Sequence, residues 1–203
     1  HHVPCLDCHY CRKGNEPMCR EFKVSNLVPG GFSQFVLASE GHARRTVFKF
    51  PASIPFPVAA MMEPTACCLR NIRRLGLEED DLAVILGLGF IGVLTAKLLQ
   101  LRGVQTLGVD LDPGRVRGAQ KFGLEESFTG KDGRLGEMIA EKTGGRGADA
   151  VIFTAGSSRL APERFDWVRD GGTLNIFAGY PGQPSSPIDL DAVYHRELRI
   201  IAS

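Results

Sequence analysis

Four cysteines, Cys5, Cys8, Cys11 and Cys19, follow one another as C-x2-C-x2-C-x7-C near the start of a 203-residue chain. Four thiolates at this spacing suit a tetrahedral zinc ion and leave it no open position, so such a metal would organise a loop and take no part in chemistry. Bacterial iron–sulfur runs begin the same way but continue with x3-C-P. Here seven residues intervene and no proline follows Cys19. Arg12, Lys13, Arg20 and Lys23 raise the alternative of a nucleic-acid-binding zinc ribbon, but ribbons divide their ligands between two distant C-x2-C knuckles. Those charges are expected to form a solvated rim, with His9 a bystander inside the lobe and His42 and His195 ordinary residues.

A second constellation is Gly87-Leu88-Gly89-Phe90-Ile91-Gly92, a GxGxxG element directly after the apolar run Leu82 to Leu86. In a strand-to-helix turn the first glycine permits the tight turn. The second lets backbone approach a pyrophosphate, the third lets helix and strand pack closely, and the anion rests on the helix N-terminus. Asp110 follows 18 positions after Gly92, where a carboxylate accepts hydrogen bonds from the adenosine ribose and repels a 2′-phosphate, which favours NAD over NADP. Arg115 either lies against the adenine or is a surface residue. Two rivals stand beside this reading: glycines that serve packing alone, and a methyltransferase, whose S-adenosylmethionine site uses a similar first turn and acid.

These motifs need elements to hold them. The character of the chain changes near residue 75, from Cys- and Pro-containing sequence with strand-like pieces such as GGFSQFVLAS to apolar runs alternating with helical patterns. Downstream, Ile91, Leu94, Leu98 and Leu101 recur at helical spacing, and the next strand ends at Val109 and Asp110. Pro113 suits the first turn of a helix carrying Val116 and Ala119, with Gly123 at its stop. Leu135, Met138 and Ile139 mark another helix before a strand over Ala150 to Phe153. A helix over Leu160 to Val168, the turn glycines Gly171 and Gly172, and strands at Thr173 to Phe177 and Leu198 to Ala202 complete the pattern. Continuous apolar strands separated by helices predict an α/β, doubly wound parallel sheet. The acidic run Glu78 to Asp81 reads as a solvated turn.

Composition narrows the function. Lys and Arg total 24 against 23 Asp and Glu, so no net field draws the molecule to nucleic acid or an anionic membrane. The longest uncharged stretch, Leu82 to Ala96, is too short to span a bilayer. The sequence opens without a recognisable signal segment, although a start at His1 leaves room for one already removed. The crowding of four of the six cysteines indicates metal ligation in a reducing compartment, read as the cytoplasm.

In MMEPTACCLRNIRR, Glu63 precedes Pro64 and a helix, a carboxylate favourable to the dipole with proline at the first position. Cys67 and Cys68 are expected to be buried on that helix. Taken in order, the cysteine lobe, PGGFSQFV, EPTACCL and GLGFIG with Asp110 resemble the zinc-containing medium-chain dehydrogenases, and most of all their polyol and threonine dehydrogenase branch. The resemblance implies a partial, mainly β, GroES-like catalytic domain at 1–65 and a Rossmann NAD-binding domain at 66–203. It implies that Cys5, Cys8, Cys11 and Cys19 hold a structural zinc, that Gly87, Leu88, Gly89, Phe90, Ile91, Gly92, Asp110 and Arg115 form the NAD site, and that Glu63 is the acid beside a catalytic zinc. The implied reaction passes hydride from a secondary alcohol, a polyol or hydroxy amino acid, to NAD, in a homodimer or homotetramer.

The family takes further catalytic zinc ligands, a Cys and a Gly-His-Glu element, from sequence upstream of the lobe, and continues past the last strand. The chain is therefore expected to be a fragment without turnover of its own. A non-catalytic NAD-binding zinc protein and a zinc-free reductase of the same superfamily are the alternatives.

Overall fold

The computed structural model describes residues 1–130, 134–156, 162–179 and 188–203. The chain divides into two compact units, His1–Ala59 and Ala60–Ser203. The first holds short helices α1 (His9–Arg12), α2 (Arg20–Val24), α3 (Glu40–Arg45) and α4 (Phe56–Ala59), with a single turn of 3-10 helix at Glu16–Met18. Its β structure is one isolated antiparallel bridge, Val28↔Leu37. The strand-like run GGFSQFVLAS is otherwise unpaired among the described residues. His42 is buried at α3, and both of its ring nitrogens are used. Nε2 lies 2.9 Å from the His1 carbonyl, which can only accept, so Nδ1 is left to accept from the Ser39 hydroxyl at 2.8 Å.

The second unit contains α5 (Met62–Leu75), β1 (Leu82–Leu86), α6 (Phe90–Gln100), β2 (Gln105–Asp110), α7 (Pro113–Lys121), β3 (Ser127–Thr129), α8 (Leu135–Thr143), β4 (Ala148–Phe153), β5 (Val168–Ile176), α9 (Leu190–His195) and β6 (Arg199–Ala202). The six strands form one sheet in the order β3-β2-β1-β4-β5-β6, every pair parallel. This is the doubly wound order, and its connectivity reverses between β1 and β4. Alternation along the strands makes two cores. Leu82, Val84 and Leu86 pack with Val151, Phe153 and Leu174 on one face, while Ala83 and Ile85 pack with Ile72, Leu99 and Ile152 on the other.

Helix α6 forms where the spacing placed it, with Gly92, Thr95, Ala96 and Leu99 as its buried residues; of the residues that marked it, Leu98 packs against the same core, Ile91 and Leu94 are half-buried and Leu101 is 81% exposed. Several element-level expectations are corrected. The described part of Leu160 to Val168 is a 3-10 helix at Pro162–Trp167 followed directly by β5; Leu160 and Ala161 lie outside the described residues. Gly171 and Gly172 belong to β5 itself. Ala148 pairs with Val168 but Ala150 with Thr173, so the glycines lie in a bulge, and Gly171 has φ +68°. The acidic run is a turn in which the Glu78 amide donates to Asp81 at 2.9 Å.

Helix α5 starts two residues earlier than expected. Met62 is its first residue, so Glu63 and Pro64 are inside the first turn, where an absent N–H costs no intrahelical bond. Cys68 is fully buried, but Cys67 faces outward, since successive helix positions point about 100° apart and the buried stripe of α5 runs through Cys68, Asn71, Ile72 and Leu75. A buried amide pair anchors α5 to the sheet. Asn71 donates to Asn175 at 2.9 Å, and Asn175 donates back at 2.8 Å.

Candidate cofactor site and zinc lobe

The glycine loop leaves β1 at its carboxyl end, at the switch point. Gly87 has φ +106°, its amide donates to the Val109 carbonyl at 2.8 Å, and a Cβ there would come within 2.8 Å of the Ala155 side chain. A Cβ on Gly92 would meet the Gly87 carbonyl oxygen at 1.8 Å, so the first turn of α6 closes on the loop only without a side chain. Gly89, the residue capping α6, would meet nothing within 4 Å. The loop is closed at its first and third glycines and open at its second, where the uncommitted N–H groups of the helix start face outward.

Asp110 ends β2 and is 8% exposed. One carboxylate oxygen accepts from the Leu88 amide at 2.7 Å and the other from the Asp112 amide at 2.9 Å. Arg115 approaches the first at 3.6 Å. The Leu88 side chain belongs to the core, so this residue offers the site backbone alone. Phe90 is exposed and Ile91 half-buried. A cavity of about 390 Å³ opens here, lined by Gly87, Asp110, Arg115, Gly130, Ala155 and Trp167 among others. That volume is within the range of small-ligand sites.

Sequence reasoning missed Thr154 and Ala155, which follow β4 on the other side of the switch point. The Thr154 hydroxyl donates to the Gly87 carbonyl at 2.7 Å, with the Leu86 carbonyl at 3.1 Å. The available signal was a small hydroxylated residue directly after an apolar strand. Its partner could be named only once β4 was known to neighbour β1.

In the first unit the four lobe sulfurs lie within 4.8 Å of one another. Individual Sγ separations are 3.9 Å for Cys5 and Cys11, 3.6 Å for Cys8 and Cys11, and 3.7 Å for Cys19 and Cys5. Backbone amides of Asp7 and Cys8 point at the Cys5 sulfur at 3.4 and 3.3 Å, and that of Cys5 at the Cys19 sulfur at 3.5 Å. Such donors stabilise thiolate. The backbone donor at Cys5, followed by that at Phe22, brings Cys19 down to about 6. Burial, then hydrogen bonding with Cys8, pushes Cys11 up to about 12. Four convergent sulfurs with amide donors fit a soft tetrahedral cation that would replace the thiol protons. His9 is exposed on α1 and outside this group, and Arg12 pairs with Asp7 at 3.0 Å in solvent.

Glu63 is exposed on α5, and the Cys67 thiol one turn later donates to its carboxylate at 3.3 Å. Desolvation, then the hydrogen bond and charge of Glu63, pushes Cys67 up to about 11, which keeps it a donor.

Comparisons with known proteins agree with this geometry. Residues 90–203 match the family model described as zinc-binding dehydrogenase. The sorbitol dehydrogenase of Halalkalibacterium halodurans is 28% identical over 205 residues, covering 98% of this chain and 57% of that protein. The D-altritol 5-dehydrogenase of Agrobacterium fabrum is 28% identical, covering 99% of this chain and 58% of that protein. A solved Sinorhizobium meliloti protein assigned as a zinc-binding dehydrogenase, bound to NADP, superposes with a TM-score of 0.83 at 27% identity, covering all of this chain and 59% of its own. The chain thus spans less than two thirds of each. No described helix is long and apolar enough to cross a membrane.

Proposed function

The chain belongs to the zinc-binding dehydrogenase family, and on that premise we propose a zinc-dependent oxidoreductase that passes hydride from a secondary alcohol, a polyol or hydroxy amino acid, to NAD. The observation that carries this reading is the occurrence on one chain of a four-sulfur cage and a glycine loop bonded to the acid that ends β2.

In this reading Cys5, Cys8, Cys11 and Cys19 hold a structural zinc and Glu63 serves a catalytic one. When bound, catalytic zinc supplies Lewis acidity toward an alcohol oxygen, and NAD supplies the hydride acceptor. The chain's own residues bind and orient. Amides at the start of α6 would hold the pyrophosphate, and Gly89 leaves the approach open. Asp110 keeps acceptor capacity beyond its two backbone bonds, since a carboxylate offers about four lone-pair sites, and that capacity would serve the ribose hydroxyls. Its charge disfavours a 2′-phosphate, and Arg115 beside it offsets part of that repulsion. Cys67 holds the Glu63 carboxylate in one orientation from the next turn. Four reduced ligand thiols suit the cytoplasm, and a homodimer or homotetramer is the assembly we assign.

The test is dinucleotide reduction by the full-length protein carrying this chain, followed by absorbance across polyols, sugars and amino alcohols. The reading expects NAD reduction with at least one secondary alcohol, lost in Glu63→Gln. No reduction with any of them contradicts it.

A further inference from the structure

A second cavity, of about 430 Å³, runs between α6 and α7. Phe90, Val93 and Leu94 form one wall, Ala119 and Phe122 the other. Phe90 and Phe122 are 55% and 70% exposed, so two aromatic rings stand at the mouth of an apolar groove, an arrangement that marks a binding surface. The groove has a cation at each end, and the two differ. Arg115 is countered by the buried Asp110 carboxylate at 3.6 Å. Lys97 bonds instead to the neutral amide of Gln100 at 3.0 Å, and its ammonium lies beside Gly123, just past the end of α7. Seven residues of helix separate Phe90 from Lys97, about 10 Å of groove at 1.5 Å per residue.

We propose that this groove binds a single-chain apolar anion, a fatty-acid carboxylate, with its chain between α6 and α7 and its head at Lys97. Charge complementarity selects this occupant. The lining is apolar along its length, and the uncountered charge is at one end. Size also favours a small molecule: the volume is that of a ligand site, whereas a stable protein partner requires about 800 Å² of surface from each side. The groove borders the dinucleotide site, sharing Leu88, Gly89, Phe90 and Arg115 with it, but Lys97 and Gly118, the two residues substituted in the test, lie outside that site.

Gly118 provides the test. It lines the groove, and a Cβ there meets nothing within 4 Å. Gly118→Leu therefore fills the groove while replacing a helical glycine with a better helix former. The probe is decanoate, read by displacement of anilinonaphthalene sulfonate from the full chain, with decanol as its uncharged counterpart. Decanoate is expected to displace the dye from the parent and not from Gly118→Leu. Lys97→Ala is expected to weaken decanoate about tenfold, the worth of a hydrogen bond to a charged group, and to leave decanol unchanged. Absence of displacement in the parent, or displacement indifferent to both substitutions, overturns the proposal. So does sedimentation showing that the parent self-associates and Gly118→Leu does not, which would make the occupant a second copy of the chain.

Discussion

The Leu88 amide donates to the Asp110 carboxylate at 2.7 Å, which makes the glycine loop after β1 and the acid ending β2 one hydrogen-bonded unit. In a Rossmann site the acid is assigned to the ribose and the loop to the pyrophosphate. Here the acid also fixes the backbone of the loop, so the two recognition elements cannot be changed independently.

Asp110→Ala accordingly removes a ribose acceptor and releases the Leu88 and Asp112 amides. Hydrogen bonds to a charged group contribute about 1.5–3 kcal/mol each. NADH affinity, followed by fluorescence titration, should fall by more than about tenfold, and preference for NADH over NADPH should relax. Unchanged affinity and preference would remove Asp110 from the site.

Gly92 and Gly89 should separate folding from binding. Gly92→Ala forces a methyl group against the Gly87 carbonyl and should lower unfolding free energy by about 1–3 kcal/mol. Gly89→Ala meets open space and should change stability by less than about 1 kcal/mol, while weakening NADH because the methyl occupies the anion's approach. Denaturant unfolding beside NADH titration distinguishes the two. Equal stability losses would contradict the argument.

Thr154→Val should cost about 1 kcal/mol through loss of one hydroxyl bond to the Gly87 carbonyl. NADH affinity should fall as the loop loosens, and Thr154→Ser should restore it. Failure of serine to rescue would mean that the methyl group, not the hydroxyl, carries the effect.

Asp149 gives the fold an acid sensitivity of known sign. It is 3% exposed. Burial raises its pKa, but this is outweighed by the Arg169 bond at 2.5 Å, the Leu82 amide and Arg146, which together hold it below the ordinary 3.8. A carboxylate with a depressed folded pKa contributes its full stabilisation above its unfolded value, and that contribution is lost as pH falls toward the folded one. Unfolding free energy should therefore drop below about pH 4. Asp149→Asn should cost about 3 kcal/mol at neutral pH and flatten that drop. Urea unfolding across pH would reveal a parent-like acid response in the variant if the assignment is mistaken.

What the sequence disclosed follows physical scale. Leu82 to Leu86 is read as a buried strand because every residue in it is apolar, and the three glycines have distinct reasons that spacing alone suggests. Helical spacing located α6, but it did not say which of its residues would be fully buried: Gly92, Thr95, Ala96 and Leu99 are, because burial is decided by the sheet the helix packs on. The bulge at Gly171 and Gly172 is set by the register between β4 and β5, which no local pattern carries. The same holds for Thr154 and for the Asn71–Asn175 pair, whose partners are 67 and 104 residues away in sequence. Cys67 was misplaced because the buried stripe of α5 follows the i, i+3, i+4 pattern from Cys68 through Asn71, Ile72 and Leu75, and Cys67 falls on its outer side.

The central claim is that one chain holds both a four-thiolate zinc and a dinucleotide cradle. Metal content and NADH titration on the same purified chain test it most directly. One zinc per chain is expected, lost in Cys8→Ser with NADH binding retained, together with saturable NADH binding, weakened in Gly89→Ala with zinc retained. A chain that purifies without zinc after expression in zinc-supplemented medium, and leaves NADH fluorescence unchanged, would contradict it.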